Sequence, residues 1–569
     1  PEAFLGYPIG THYTRHDRIV DYLRELARLS DRVTVEEIGR SYEERPLLSV
    51  VITSGANQGR IDQIQRAHIA AGDPGGPAAG ANAPVVVGLF CLLLGRESVV
   101  IAFVVFCNLG SAAALLLGGA NVQPAHLFLV FLMIATLFYR NISTLVLSSF
   151  RLPEAGFWLL CLTLYGVASS YILPRLFAGQ TYIVPLGTSS HLITSDGVVP
   201  LGPVSSNFTQ PIYLIGDLVC FSVITAFGST KNGIETLARA LIIYVAANIC
   251  FGIIDVLTAA TGTQEVLQFI RNAQYTFHDE ESVGSMRRII GAWPEASAFA
   301  GMTLGGCGFT GMLWLCGRKP SVTGPLALIS LLFVILSTSS TGLVGAAVLI
   351  AILYTIALMR CSTHRQDRFS AGLVVAGPLV LCVLVLLALS VNGVAERVYD
   401  YVDTLVLSKA ETSSGVQRSA WNAYAWRNFV DSNGLGVGLG TNRTSSFPLA
   451  VLSNVGIPGA VFYVLFLASV FGFRRGAPRT YASDIRAAGR VACLCLLSGS
   501  IIAGPTVDQG LMFYIFAATA CAYPVRGPVG GRSVSAASIA PAAAAIQARL
   551  VEPARQLARS GSLGTSERA

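Results

Sequence analysis

Charged residues are scarce in this sequence. Only 12% of the 569 residues are Asp, Glu, Lys or Arg, whereas 53% are hydrophobic. A soluble globular domain carries about 25% charged residues, so this composition excludes a soluble fold for most of the chain. The formal net charge of +7 is small for this length. It favours basic loops beside a lipid bilayer over nucleic-acid binding, and we expect no nucleic-acid partner.

Paired cysteine motifs are also missing. Most of the 12 cysteines stand alone inside apolar runs, as Cys107, Cys220 and Cys382 do. They are expected to act as small hydrophobic side chains, which excludes a disulfide framework and a zinc site. One His-x-x-Glu match, His278 to Glu281, lies in a predicted loop without a suitable second histidine. We therefore expect no metal.

Long apolar runs dominate the chain from Val85 onward. A membrane-spanning helix needs roughly 17–25 apolar residues, so the shorter runs must extend into their flanks. The pattern predicts an all-α polytopic membrane domain over residues 88–526, with about twelve transmembrane helices. The predicted spans are Val99–Gly118, Ala125–Tyr139, Gly156–Leu173, Ile212–Phe227, Leu237–Leu257, Ala298–Cys316, Val322–Leu336, Leu343–Met359, Gly372–Val391, Pro448–Phe473, Val491–Gly504 and Gly510–Pro524.

The arginine and lysine distribution predicts the orientation of these spans. Short loops on one side collect the basic residues, which marks that side as cytoplasmic. The opposite side then holds the three longest loops, which we expect to be periplasmic: Pro174–Gln210, Thr261–Ser297 and Asn392–Phe447. Residues 527–569 form an Ala/Ser/Arg-rich tail, which is typical of a disordered cytoplasmic segment.

The first 87 residues have a different composition. They carry 20 of the 71 charged residues, which is typical of a small soluble α/β unit. Helical and alternating patterns predict two helices and three strands in this part of the chain. In order these are the helix Arg15–Leu29, the strands Val33–Ile38 and Leu47–Thr53, the helix Asn57–Ala71, and a strand beginning at Pro84.

This region resembles the amino-terminal part of zinc carboxypeptidases. The resemblance rests on Tyr13-Thr-Arg-His-Asp, on Ile38-Gly-Arg-Ser-Tyr-Glu-Glu-Arg-Pro-Leu47 and on the strand that follows. In that family a strand like Ala83–Phe90 leads to a His-x-x-Glu pair of zinc ligands. Here it leads to Cys91-Leu-Leu-Leu-Gly-Arg-Glu97. We therefore expect residues 1–87 to be a truncated carboxypeptidase-like fragment without peptidase activity.

Two polar stretches interrupt the apolar part of the chain. Ser413–Gly459 combines three arginines, five aromatic residues and glycines at alternate positions, and Met286–Gly301 joins arginines to Trp293 and Glu295. A loop that merely connects two spans seldom has this composition. We interpret the two stretches as the two walls of one polar site at a membrane surface.

The residue types in these stretches suit a lipid diphosphate. Arginine presents a planar fork of donors that matches phosphate oxygens. Trp293 and Trp421 offer flat faces for a sugar ring, and Gly436, Gly438 and Gly440 allow a backbone anion nest. Alternatives remain: the arginines and tryptophans can be interfacial anchors, the glycines a re-entrant turn, and Glu295 a helix cap.

The same part of the chain is similar to the O-antigen polymerases and ligases of bacterial polysaccharide assembly, over about residues 99–524. The resemblance rests on four short motifs. They are Ser414-Gly-Val-Gln-Arg-Ser-Ala-Trp421, Gly436-x-Gly-x-Gly440, Asn454-Val-Gly-Ile-Pro-Gly459 and Arg288-Ile-Ile-Gly-Ala-Trp-Pro-Glu295.

This resemblance implies a metal-independent glycosyltransferase of the bacterial inner membrane, acting without a cofactor on a polyprenyl-diphosphate-linked oligosaccharide. A flippase and a chain-length regulator are the expected protein partners. The residues expected to be catalytic are Arg288, Arg418 and Glu295. Those expected to bind substrate are Arg443, Trp293, Trp421, Gly436, Gly438 and Gly440.

Two departures from the family pattern leave alternatives open. Ligases usually carry a histidine near the position of Ser445, so the sequence favours a polymerase over a ligase. Ser337-Thr-Ser-Ser-Thr-Gly342 stands where relatives often have Ser-Arg. Asp217 and Asp255 lie inside apolar runs, where an ionisable residue marks a functional site by default. They leave a transporter or flippase of lipid-linked glycans as the alternative function.

Overall fold

The computed structural model consists of two compact units, described separately below. One comprises Pro1–Val86 with Ala113–Pro124, and the other Val87–Ala112 with Ala125–Ala569. The structure describes residues 1–8, 11, 13–72, 82–117, 120–137, 142–189, 197–230, 232–273, 282–283, 286–362, 368–391, 393–408, 412–473 and 475–523. The predicted tail over residues 527–569 lies outside them.

The first unit is built from short elements. Strand β1 (Val33–Arg40) pairs antiparallel with β2 (Pro46–Ile52), so that Val33 lies opposite Ile52. Strands β3 (Leu115–Leu117) and β4 (Ala120–Val122) form a second hairpin. The helices of this part of the chain are α1 (Glu2–Leu5), α2 (His16–Leu29), α3 (Gly55–Gln58) and α4 (Ile61–Gly72).

The third predicted strand, beginning at Pro84, is wrong. The chain from Asn82 to Leu94 forms helix α5. Its continuous apolar sequence from Pro84 has no polar alternation to favour a half-buried strand. Proline is also well tolerated in the first turn of a helix, because the amide it lacks has no partner there in any case.

The second unit is helical and has the character of a multi-pass membrane protein. Among the described residues, eight helices are long and apolar enough to cross a membrane. These eight are α9 (Ala155–Leu176), α10 (Ser206–Gly228), α11 (Gly233–Thr261), α12 (Ala296–Leu315), α14 (Ser340–Cys361), α15 (Arg368–Ser390), α18 (Phe447–Gly472) and α19 (Tyr481–Ala503).

Shorter helices complete this unit. Several are apolar, and two lie in the last long loop. They are α6 (Arg96–Phe106), α7 (Pro124–Leu137), α8 (Ile142–Ser149), α13 (Pro320–Leu336), α16 (Val394–Val402), α17 (Ser413–Asp431) and α20 (Leu511–Cys521). A 3-10 helix covers Gln264–Ile270, and a π-helical turn covers Asp403–Leu407. Four two-residue strands form two further antiparallel pairs: β5 (Tyr182–Ile183) with β6 (Val199–Pro200), and β7 (Ser282–Val283) with β8 (Met286–Arg287).

The span predicted over Val99–Gly118 is shorter in the structure. Helix α6 ends at Phe106, and Asn108 and Ser111 follow it with no solvent exposure. The Asn108 side chain donates to the carbonyl of Tyr244 at 3.2 Å, and the Ser111 amide donates to the carbonyl of Ala292 at 3.0 Å. These buried bonds turn the chain where the apolar pattern alone would continue the helix.

Helix α12 lies at the centre of the bundle and packs on α13 and α19. Its glycines face neighbouring helices at close range. A side chain added at Gly305 would meet Leu496, one at Gly306 would meet Val245, and one at Gly308 would meet Cys495. Small residues at helix interfaces let helices approach closely in a membrane. They explain why the Gly-rich α12 is the most buried of the long helices.

Two of the helices at the carboxyl end of the bundle are irregular. Helix α18 breaks at Gly456, where φ is 60° and ψ is −162°. Helix α20 has only 11 residues, about 16 Å, which is half of the ~30 Å hydrocarbon thickness. Non-helical backbone at membrane depth is tolerated where the protein itself buries it. Both irregularities lie next to the polar groups described below.

Candidate functional site

Residues from the three longest loops meet around Asn442 and Arg443. The Arg443 amide donates to the carbonyl of Val184 at 2.8 Å, and the Val184 amide donates to the Asn442 side chain at 3.0 Å. Pro185 and Asn442 form an isolated antiparallel bridge. The loop between α9 and α10 is thereby fixed to the loop between α17 and α18. The third loop places Glu295 within electrostatic range of Arg443.

One face of α17 lies beside this junction. Arg418, Trp421 and Asn422 are spaced i, i+3 and i+4, which places them on the same side of the helix. The Asn422 side chain accepts from the Ser445 amide at 2.9 Å. That bond holds the helix against the chain segment that carries Arg443.

The Arg443 guanidinium lies over the Trp421 ring, with its central carbon 4.6 Å from the ring centroid. The pKa of Arg443 lies below its ordinary value because surrounding protein desolvates the guanidinium, and the nearby Arg418 charge acts in the same direction. Glu295 acts in the opposite direction. Arg443 as a whole nevertheless remains exposed to solvent. Two arginines therefore face one acid in a cluster that solvent reaches.

We call Arg418, Trp421, Arg443 and Glu295 the arginine cluster. Glu295 is the residue immediately before α12, and its carboxylate accepts a hydrogen bond from the Ser297 hydroxyl. An acid at this position is stabilised by the amino-terminal end of the helix. The structure thus brings together four of the predicted site residues, one from the second polar stretch and three from the first.

A buried carboxylate holds the segment that leads to Glu295. Asp255 of α11 is 1% exposed, and its Oδ1 accepts from Arg271 at 2.7 Å and from Arg287 at 3.4 Å. Its Oδ2 accepts from the amides of Ile290 at 2.9 Å and Gly291 at 3.1 Å. Asp255 therefore satisfies two cations and two amides at once. It holds the side chain just before Arg288 and the backbone just after it.

Arg288 and Trp293 occupy different environments along this segment. Arg288 is partly buried, and it follows Arg287, whose side chain contacts Asp255. Trp293 is 7% exposed. Its indole N–H donates to Asn248 at 3.1 Å, and its ring packs against Gly110. Trp293 is thus a core side chain in this structure, whereas Trp421 lies at the cluster.

The alternating glycines form a turn packed against the break in α18. Gly436, Gly438 and Gly440 all have positive φ, between 82° and 105°. The Gly436 amide donates to the Ser432 hydroxyl at 2.9 Å, and the Gly438 amide donates to the Asn454 carbonyl at 2.8 Å. These two amides are bonded within the protein.

Several residues that shape the site were not predicted from the sequence. Asn422, Asn442 and Asn454 are buried or half-buried amides that tie the loops together. Each is an amide side chain within or close to one of the motifs quoted above, which was the available signal. Among the described residues, no group of three or more His, Cys, Asp or Glu side chains could hold a metal ion. His278 lies outside those residues.

Comparison with known proteins adds no family to this picture. No protein-family model matches the chain, and no curated protein matches it significantly. The similarities to O-antigen polymerases and to zinc carboxypeptidases therefore stay predictions.

Proposed function

We propose that this protein is a membrane polymerase that joins polyprenyl-diphosphate-linked glycan repeats at the periplasmic face of the bacterial inner membrane. In this proposal the shorter apolar helices join the eight long ones to give about twelve spans. Residues 1–87 are an inactive carboxypeptidase-like fragment. The reaction is glycosyl transfer: a sugar hydroxyl of one repeat attacks the anomeric carbon of the other, and the lipid diphosphate leaves.

The observation that carries this proposal is the arginine cluster. Arg418 and Arg443 lie near enough for their charges to repel, and only Glu295 among the described charges acting on Arg443 opposes them. A bound diphosphate would supply the missing negative charge and accept bidentate hydrogen bonds from both guanidinium groups. The cluster lies on loops at one end of the spans, where a diphosphate can bind while its polyprenyl chain stays among lipids.

Each member of the cluster has a role in this proposal. Arg418 and Arg443 hold the diphosphate and stabilise the charge that develops as it leaves. Trp421 orients Arg443 and offers its remaining edge to a sugar. Glu295 is the candidate general base for the attacking hydroxyl. Arg288 is expected to contact the donor from the segment that Asp255 fixes.

One observation favours a second candidate function, a transporter of lipid-linked glycans. Transporters bind their substrates beside broken helices and use intramembrane carboxyl groups as ion sites. Helix α18 is broken at Gly456, and Asp217 lies fully buried within α10. A transporter does not change glycan chain length on its own, so the two functions predict different products.

The test compares binding and product in parallel. The full-length protein, purified in detergent, is titrated with farnesyl diphosphate, farnesyl monophosphate and farnesol. We expect the diphosphate to bind most tightly, and Arg418→Ala and Arg443→Ala to weaken it. Cells that lack the gene are complemented with each variant, and surface glycan chain lengths are compared on gels at matched protein levels.

Arg427→Ala is the matched control. Arg427 is exposed on the same helix, nine positions after Arg418, so at about 100° per residue it projects from the opposite face. It should leave binding and chain length unchanged. Equal binding of the diphosphate and farnesol would contradict the diphosphate site. Loss of all surface glycan without the protein, together with lipid-linked repeats retained inside the cell, would instead favour the transporter, whereas surface glycans cut to single repeats would support the polymerase.

A further inference from the structure

A second polar group is buried inside the helix bundle. Asp217 lies in the middle of α10 and is 0% exposed. The Asp508 carboxyl, from the segment between α19 and α20, acts on it electrostatically and lies within hydrogen-bonding reach. Neither residue belongs to the arginine cluster. The two carboxyl groups therefore form a separate pair within the membrane-spanning part of the protein.

The short α20 explains how a residue from a connecting segment reaches the middle of a span. Helix α20 begins at Leu511 and has 11 residues, about half of what crossing the hydrocarbon layer requires. If α20 forms the last of the proposed spans, the segment 504–510 supplies the rest of the crossing. Within it, the Asp508 side chain accepts from the Gly510 amide, and the Thr506 hydroxyl donates to the Asp508 carbonyl at 3.0 Å. The segment is thus folded on itself directly before α20.

The hydrogen bonding of Asp217 differs from that of the other carboxylate buried in a neighbouring helix. Both oxygens of Asp255 accept hydrogen bonds from cations or amides. Neither oxygen of Asp217 accepts one from a donor in the described part of the chain. A buried carboxylate without donors is strongly unfavourable. Two ionised carboxylates are both acceptors, so their contact becomes a hydrogen bond only when one proton lies between them.

We propose that Asp217 and Asp508 form a proton-binding site in which one proton is shared between the two carboxyl groups. The surrounding groups support a proton as the ligand. Among the described groups that act on Asp217, there is no lysine or arginine to neutralise it, and no set of three metal-ligating side chains is present in that part of the chain. In the described part of the chain, the other titratable groups that interact with the pair are His126, Cys220, Tyr463 and Tyr514.

The pair is connected to the arginine cluster through one short segment. The Thr444 hydroxyl donates to the carbonyl of Gly504 at 3.2 Å, and the Thr444 amide donates to the carbonyl of Pro505 at 3.3 Å. Thr444 follows Arg443 directly, and Pro505 precedes Asp508 by three residues. A proton bound at the pair can therefore influence the backbone beside Arg443. The site itself does not depend on the proposed polymerase activity.

A hydrophobic carbodiimide tests the proposal directly. Such a reagent enters membrane proteins and adds to a protonated carboxyl group, whose proton moves to a carbodiimide nitrogen, whereas a carboxylate does not react. The full-length protein is labelled in detergent at neutral pH, and modified peptides are located by mass spectrometry. We expect labelling at Asp217 or Asp508 and none at Asp255, which is equally buried but ion-paired. Comparison of sites within one wild-type protein avoids any effect of a substitution on folding.

Infrared spectroscopy and competing ions complete the test. The wild-type protein should show the carbonyl stretch of a protonated carboxylic acid, and Asp217→Asn should lose it. Glu265→Gln, which removes an exposed carboxyl group outside the pair, should keep it. Absence of both labelling and the acid band at neutral pH would overturn the proposal. So would labelling suppressed by sodium but not by choline at equal ionic strength, because the pair would then hold a metal cation rather than a proton.

Discussion

The guanidinium of Arg443 lies 4.6 Å above the ring of Trp421, on a loop that is tied by backbone hydrogen bonds to a second loop. A cation over an indole face contributes roughly 0.5–1 kcal/mol where it is exposed and about 2 kcal/mol where it is desolvated. This contact favours one orientation of a flexible side chain that lies within electrostatic range of Glu295 and Arg418. It gives the site a pre-organised cation rather than a mobile one.

Loss of the Trp421 ring should therefore weaken binding of the lipid-diphosphate donor while leaving the protein folded. We expect Trp421→Ala to reduce diphosphate affinity by about three- to thirtyfold, following the magnitude of the lost cation–π contact, and Trp421→Phe to lose less. Binding is measured by titration with farnesyl diphosphate. Trp426, which is exposed on the same helix, supplies the control Trp426→Ala. An equal loss in that control would assign the effect to the helix rather than to the contact.

Substitution by lysine separates diphosphate binding from interfacial anchoring at Arg288 and Arg418. Each charge-assisted contact contributes roughly 1.5–3 kcal/mol, about a ten- to hundredfold effect on donor use. Lysine keeps the charge but loses the planar fork, so both lysine variants should shorten the polymer, and the alanine variants more so. An anchor would tolerate lysine, which reaches the interface equally well. Wild-type chain lengths from all four variants would end the transferase-site hypothesis.

The membrane part of the fold was largely predictable, because long apolar runs leave few alternatives to a spanning helix. Helices α9 to α12 lie close to their predicted positions. Where the prediction failed, the cause lies outside the local sequence. The span from Val99 ends early because Asn108 and Ser111 make buried bonds to residues far along the chain. No pattern within a window of the sequence contains those partners.

The residue types of the site were predictable from the sequence, but which of those residues lie next to each other was not. Arginines, aromatics and glycines in two polar stretches pointed to the loops that meet at Arg443. Which residues lie close together depends on how Asp255 fixes the segment before Glu295. Asp255 is in α11, and the two amides and two arginines that it binds come later in the chain. Asp508 was missed because it lies between two short apolar runs, although an isolated acid in such a place is the same signal that singled out Asp217.

Removal of the Asp255 charge should destabilise the protein and release the segment before Glu295. Breaking one side of a buried ion pair costs about 3–5 kcal/mol, and the Arg271 side chain left behind is only 7% exposed. Asp255→Asn should lower the thermal unfolding temperature and speed hydrogen exchange at the amides of Ile290 and Gly291. Glu265→Gln, which removes an exposed charge from the same loop, is the control. Unchanged exchange at both amides would contradict the anchoring role of Asp255.

An alanine at Gly436 should disrupt the turn that packs against the broken helix. At this position φ is 82°, and an added Cβ would lie 2.7 Å from the Asn454 carbonyl oxygen and from the Gly456 nitrogen. The positive φ alone costs roughly 1–2 kcal/mol, and the backbone atoms cannot move aside cheaply. Gly301→Ala, in α12 with no atom within 4 Å of the new Cβ, should be neutral or stabilising by up to ~1 kcal/mol. Thermal unfolding in detergent measures both, and equal stability of the two variants would refute the packing argument.

Topology decides whether the arginine cluster faces the compartment where polymer is assembled. Asp431, at the end of α17, is exposed and precedes the glycine turn. The native Cys361 ends α14 near a basic loop that we predict to be cytoplasmic. In intact spheroplasts, a membrane-impermeant thiol reagent should modify Asp431→Cys and leave Cys361 unmodified, as read from the masses of the corresponding peptides. After the membrane is permeabilised, Cys361 should react as well, which controls for its accessibility. Modification of Cys361 alone before permeabilisation would invert the orientation and place the cluster in the cytoplasm, where periplasmic polymerisation is excluded.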